Sequence, residues 1–353
     1  MAGISTWLAG TMMLLALGAG TAAAGTATAV GDAVDGGLLA TEEGDEPVES
    51  PLATSLLVVE VLRQDLARGV LRPTTPVAVT PVPGDGGPRL GAVERLPAGE
   101  LLQLLLLTGS PTAARSLAAT LGPDPTAIHA RLARTAAGAG IDAAPGAQVF
   151  RASARGLALL AMRVVADPAL RRRLERDGVP IADGQMIVRA SAPLVAIEPV
   201  AGTPEPAGRR TAVVLGRRGN LELIAAATGE RPLARAREAL AAALAAYARH
   251  AIVRTGQEVG PAIEVPNGII PRFTAVAAEP FAVTARRGTT PDLAIRLQIP
   301  ASVEAPVDVR QAVGELVLEH QGVVVAVVPL VAPRTIAPRR WLDSSIALPG
   351  SGR

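Results

Sequence analysis

The chain contains no cysteine, which removes a disulfide framework, cysteine-ligated zinc, iron–sulfur clusters and a thiol nucleophile together. It contains no lysine either, all 34 basic residues being arginine. A Ser–Lys dyad, a Schiff base and a phosphate-loop lysine are therefore ruled out. A bias toward Ala, Gly, Pro and Arg accounts for part of this, because surface positions that would accept lysine carry arginine too. Such a bias explains a surface better than a site. Aromatic residues are only 2% of the chain, too few to stack successive bases and none interleaved with a basic run, so no nucleic-acid partner is expected. Thirty-four basic residues stand against 32 acidic ones, and the pI of 10.1 reflects the missing lysine more than a surplus of charge.

What is present is a globular composition, 49% hydrophobic and 19% charged over 353 residues, enough for two folded domains with their own cores. Ile4 to Ala24 is almost wholly apolar or small and ends Ala22-Ala23-Ala24 before Gly25, the pattern of an export signal cleaved after residue 24. Its start carries no Lys or Arg, so membrane attachment is expected only if this segment stays uncleaved. An acidic turn, Glu42 to Pro47, follows two small apolar strand-like runs. Apolar residues at Leu56, Val59, Leu62 and Leu66 then mark a helix over Leu52 to Ala67. Further helices are expected over Ala98–Leu107, Thr112–Leu121, Thr126–Ala137, Ala154–Val165 and Arg235–Ala248. The runs Thr211–Gly216 and Leu221–Ala226 flank the turn Arg217-Arg218-Gly219-Asn220 and read as a hairpin. Beyond Arg254 short β-rich runs punctuated by Gly and Pro indicate a separate small β domain. The expected division is 1–24 signal, 25–250 first domain, 255–335 β domain and 336–353 tail.

The single histidines His129, His250 and His320 stand far apart in sequence, so surface or edge positions are expected and no metal or cofactor is. Glu60, Asp65 and Glu100 fall on polar helix sides and read as solvated charges. The arginine run Arg171-Arg172-Arg173 reads as a solvated helix face. The apolar block Leu101–Leu107 spans about 10 Å of helix, far short of a bilayer, and reads as core. After Pro338 only Arg339-Arg340-Trp341-Leu342 precedes Ser, Pro and Gly residues, too little for an amphipathic membrane helix.

The order of several segments resembles the serine D-Ala-D-Ala carboxypeptidases, the low-molecular-weight penicillin-binding proteins of peptidase family S11. The run Ala40-Thr41-Glu42-Glu43-Gly44-Asp45-Glu46-Pro47 is similar to the strand pair leading to that family's active-site helix. Arg95 to Leu107 resembles the helix before the family's second motif, and Ala154 to Ala161 with Asp167-Pro168 the helix after it. Ala312 to Leu318 with Gly322 and Val328 to Ala332 resemble the family's small β domain. The resemblance implies a β-lactamase/transpeptidase-like α/β (α+β) domain, an antiparallel sheet flanked by helices, followed by a small all-β sandwich.

The resemblance also implies three motifs. In Ser-x-x-Lys the lysine takes the proton of a serine one helical turn away, and that serine attacks the peptide carbonyl; a Ser-x-Asn loop and a Lys-Thr-Gly strand hold the substrate. Matching Pro51 to the family's proline before the first motif places the serine on Ala53 and the lysine on Leu56. The second motif falls on Thr108-Gly109-Ser110, with Thr108 and Ser110 at its two functional positions. The third falls on Val200-Ala201-Gly202, where only the glycine is kept. Shifting the register gives Ser50 with Ala53 three residues on, or Ser55 with Val58, and arginine accepts no proton near neutrality. A literal Arg254-Thr255-Gly256 lies at the join to the β domain and reads as a turn.

The leading expectation is thus an exported, catalytically inactive member that binds a peptidoglycan stem peptide or a cell-envelope protein. One alternative is an active carboxypeptidase with an atypical site at Ser55, Thr108 or Ser110. The other is a structural module of the cell envelope.

Overall fold

A computed structural model describes residues 26–42, 46–83, 94–142, 149–176, 178–181, 186–189, 194–197, 210–289, 291–320 and 322–339. The export segment expected over residues 1–24 and the motif positions Val200, Ala201 and Gly202 lie outside them. The chain divides into two compact units after Ala248.

The first unit opens with β1 (Ala27–Asp32), β2 (Leu38–Thr41), β3 (Val48–Glu49) and α1 (Pro51–Ala67). Then come β4 (Pro76–Ala78), β5 (Arg95–Pro97), α2 (Ala98–Thr108), α3 (Pro111–Ala118), α4 (Pro125–Ala137), β6 (Arg151–Ala152) and α5 (Ala154–Val165). It finishes with α6 (Pro168–Leu174), β7 (Gly178–Ile181), β8 (Met186–Arg189), β9 (Ala196–Ile197), β10 (Thr211–Arg218), β11 (Leu221–Thr228) and α7 (Pro232–Ala246). Four helices start by one device. Ser50, Ser110, Asp124 and Asp167 each accept a backbone N–H of the first turn, with proline next in sequence. Proline fits there because its fixed φ suits the helix and its missing N–H would have had no partner.

Five strands form the sheet in the order β2-β1-β11-β10-β9. All neighbours are antiparallel except the edge pair, where Ala196 and Ile197 run parallel to Val214 and Leu215. Alternation then sorts side chains between two layers. Ala29, Val213, Leu215, Ile224 and Ala226 join one core with α1, α2 and α5. Val30, Ala212, Val214, Leu223 and Ala225 join another with Leu233, Ala236, Leu240 and Ala243 of α7. A sheet covered on both faces needs apolar residues at successive positions, which is why Leu221–Thr228 is buried throughout. Gly216 is required for close approach, since a Cβ there would fall 2.6 Å from Leu240 Cδ2. The helix expected to continue to Ala248 stops at Ala246, because Tyr247 turns extended and its hydroxyl donates to Leu39 O at 3.0 Å.

The second unit is all β. Its strands are β12 (Tyr247–Val253), which starts at the division, β13 (Glu258–Glu264), β14 (Arg272–Ala277), β15 (Phe281–Arg286), β16 (Ala294–Gln298), β17 (Ala312–His320) and β18 (Val323–Val331). Five of them form a sheet in the order β13-β14-β18-β17-β16, and β12 pairs with β15. Phe273, Leu316, Leu318, Val328 and Leu330 centre the core. Residues 336–339, expected to begin a tail, are part of this unit. Ile336 is buried and exchanges backbone hydrogen bonds with Val307, and Arg339 N–H donates to Asn267 O.

Candidate functional site

The first turns of α1 hold the positions matched to the nucleophile and its base. Ala53 and Leu56 are both 0% exposed and belong to the main core, where α1 packs against α3, α4 and α5. The chain binds the start of this helix from three sides. Ser50 Oγ accepts the Ala53 N–H at 2.9 Å and shares a buried 3.0 Å hydrogen bond with Thr211 Oγ1 at the start of β10. Ser50 N–H donates to Phe150 O at 2.9 Å, and Phe150 N–H donates to Thr54 Oγ1 at 3.1 Å. The helix N-terminus is thus satisfied internally, by side chains and backbone of its own fold. Ser55 is buried, with the buried Val58 three residues on. Neither serine has a proton acceptor at the one-turn spacing, and an unactivated hydroxyl is a poor nucleophile.

Replacing Ser50 with alanine removes the cap and leaves Thr211 Oγ1 without this partner. A loss of about 1–3 kcal/mol is expected, read as a lower urea midpoint at unchanged slope. An unmoved midpoint would show that the bond between helix and sheet contributes nothing net.

The positions matched to the second motif are Thr108, the last residue of α2, and Ser110, the residue before α3. Thr108 Oγ1 donates to Leu104 O at 2.8 Å, Gly109 closes α2 in the left-handed region at φ 62°, and Ser110 caps α3 by accepting the Ala113 N–H at 3.2 Å. Ser110 is buried at 2% exposure. Both hydroxyls therefore serve helix ends. Helices α1 and α3 are in contact.

Glu60 and Asp65 are not the solvated charges their helical spacing indicated. Both are buried. Arg63 reaches Glu60 with two nitrogens, at 2.8 and 2.9 Å, and this hydrogen bond holds the Arg63 guanidinium above its ordinary value. Asp65 is paired with Arg131 of α4, 66 residues away in sequence. Glu100 is half-buried in the first turn of α2. The arginine run likewise departs from a uniformly solvated face. Arg171 pairs with Glu222 and Glu175, and Arg173 donates to Gly99 O at 3.1 Å, while Arg172 is exposed.

Arg254-Thr255-Gly256 is a turn between β12 and β13. Gly256 has φ 76° and donates to Ala277 O, and Arg254 N–H donates to Gln257 Oε1. Each histidine stands in its own setting: His129 on α4 stacks on Phe150 with ring centroids 5.3 Å apart, His250 is half-buried in β12, and His320 Nδ1 lies 2.6 Å from Asp292 O. Among the described residues no group of His, Asp and Glu could hold a metal ion, and no helix is long and apolar enough to cross a membrane.

Known proteins resemble this chain at two levels. Residues 247–338 match the family model described as penicillin-binding protein 5, C-terminal domain. Among solved structures, a peptidoglycan synthesis regulatory factor (PBP3) from Streptococcus pneumoniae superposes with a TM-score of 0.66 at 17% identity, covering 88% of this chain and 98% of its own. The D-alanyl-D-alanine carboxypeptidase DacD from Francisella tularensis gives 0.56 at 15% identity over 91% and 95%. Penicillin-binding protein 5 from Haemophilus influenzae gives 0.56 at 14% over 91% and 100%. No curated protein matches the sequence. In fold, then, the chain is like the low-molecular-weight penicillin-binding proteins from its first sheet to its last strand, and it ends in a domain of the penicillin-binding protein 5 C-terminal type.

Proposed function

We propose that this protein is a non-catalytic relative of the D-Ala-D-Ala carboxypeptidases, exported to the periplasm or cell-wall space, that associates with peptidoglycan by binding a stem peptide or a cell-envelope protein. The observation that carries the reading is the pair Ala53 and Leu56. Where acyl transfer needs a hydroxyl and a neutral amine one helical turn apart, the chain has a methyl and an isobutyl group, both fully buried. No lysine elsewhere can stand in. Ser50, Thr108 and Ser110 support it too, because each hydroxyl is already engaged in holding a helix end. The pneumococcal protein of the same fold is a peptidoglycan synthesis regulatory factor, and a role in wall synthesis is accordingly a sensible one to test here.

The test is intact-protein mass spectrometry after incubation with excess benzylpenicillin, which acylates a working active-site serine of this fold. The expected result is an unchanged mass from protein shown to be folded by circular dichroism. A penicilloyl adduct would overturn the reading, and peptide mapping would name the nucleophile.

A further inference from the structure

We infer that the outer edge of residues 323–327 in β18 pairs with the same edge of a second copy of this chain, joining two β-domain sheets about a two-fold axis. On its inner side β18 is paired with β17, from Val323 opposite His320 to Val331 opposite Ala312. On its outer side β14 reaches only Val331 and Leu330, and just past its end Ala278 N–H donates to Pro329 O. Among the described residues no strand or bridge covers residues 323–327 on that side. Val323, Val324, Val325 and Val327 are 41–51% exposed.

Backbone direction sets what this edge offers. Along an antiparallel strand, successive residues turn their N–H and C=O to alternate sides. Pro329 turns its C=O outward, to Ala278, so Val327, two residues earlier, presents its N–H and C=O outward beyond the end of β14. The register shift between Leu318 and Glu319 leaves Val325 without an opposite residue, a bulge that keeps any added ladder short. From residue 322 to 332 the sequence holds no charged or hydrogen-bonding side chain, and Glu319, opposite Val324, is paired with Arg296 of β16. Charge, a usual guard of a free edge, is therefore missing here.

These features select the occupant. A bilayer would accept the valines but leave the outward N–H and C=O unpaired, which hydrocarbon does not tolerate. Capture of a foreign strand takes its affinity from the main chain and its selectivity from pockets for alternate side chains, and the valines beside this edge bring no polar or charged group to read one. A second copy needs no such reading. Across a two-fold axis each contact is made twice, valine lies against valine, and no like charges meet. A five-residue edge buries well under the roughly 1,200 Å² of standard complexes, so the dimer is weak and reversible. The inference is independent of the first unit and its motif positions.

The test is sedimentation equilibrium of the full chain from low to high micromolar concentration. The mass is expected to rise from one chain, 35.9 kDa, toward two and to level there, while exchange of the Val327 amide slows over the same range. V327P removes the outward donor and spares the ladder with β17, as proline at an edge does. It takes two symmetric hydrogen bonds from the dimer, at roughly a fivefold factor each, and should weaken association about 25-fold. V325E places a carboxylate in the new ladder and should keep the chain monomeric. V309E, which changes an exposed valine elsewhere in the β domain, should dimerise like the parent chain. Circular dichroism checks that each variant is folded; where V327P is not, V325E and the amide exchange decide. A parent chain that stays monomeric, a mass that climbs past two without levelling, a folded V327P or V325E that dimerises unchanged, or an equal loss in V309E would each overturn the proposal. So would a monomer that floats with phosphatidylglycerol vesicles, which would make lipid the occupant.

Discussion

Changing Leu56 to lysine is expected to unfold the first domain rather than to restore a base. The family's chemistry suggests the opposite experiment, in which A53S and L56K rebuild a Ser-x-x-Lys spacing and activity returns. Burial decides between the two outcomes. Leu56 has no exposed surface and lies in the core that α1 shares with α5 and the sheet. Placing an amine there loses the leucine's packing, about 2–5 kcal/mol by analogy with truncation to alanine. It also forces the amine to stay neutral against a pKa near 10, which adds several kcal/mol more, on the order of 5 for a fully buried lysine. A domain of this kind has only about 5–15 kcal/mol in hand. Leu56→Met, which keeps volume and polarity, should cost less than about 1.5 kcal/mol. Urea midpoints of the three proteins check this. If L56K melts with the parent chain and its amine titrates as a solvated lysine, the helix start opens to water and the site can hold a base after all.

The same burial explains which features the sequence made legible. α5 was readable to the residue, because Ser153, an apolar stripe and Asp167-Pro168 bracket it. Helices α1, α3, α4 and α7 begin one to three residues earlier than periodicity indicated, at Pro51, Pro111, Pro125 and Pro232. Each starts on a proline, which adds nothing to an apolar pattern yet is well suited to the first helical position. β13 gave no signal, since Gly260 and Pro261 interrupt an otherwise ordinary run and its place comes from pairing with β14. The charges misled for a related reason. Asp65 shows a polar side chain at helical spacing, and only the fold brings Arg131 to it. The positions at which the three motifs would fall came from the resemblance, whereas the internal use of Ser50, Thr108 and Ser110 required coordinates. A hydroxyl's partner 161 residues away, as Thr211 is from Ser50, leaves no trace in local sequence.

Replacing Glu222 with glutamine should cost stability at neutral pH and progressively less in acid. Its carboxylate sits on β11, is nearly buried, and takes Arg217 from the neighbouring strand and Arg171 from α6. Burial by itself pushes this carboxyl up, and hydrogen bonds and charge from Arg171 and Arg217 more than offset it, so the group titrates below the ordinary glutamate value. Removing one partner of a fully buried pair costs about 3–5 kcal/mol. Here Arg217 is mostly exposed and Arg171 partly so, and water takes up some of their freed charge, leaving about 1–3 kcal/mol. The sign follows from the depression. A carboxyl whose folded pKa lies below its unfolded one stabilises fully above the unfolded value, about 4.3, and that stabilisation is lost as pH falls through the folded value. The gap in denaturation midpoint between the parent chain and E222Q should therefore be widest at pH 7 and close toward the most acidic pH at which both remain folded. A gap that stays constant throughout would assign the loss to packing, and the tie between α6 and the hairpin would then owe nothing to charge.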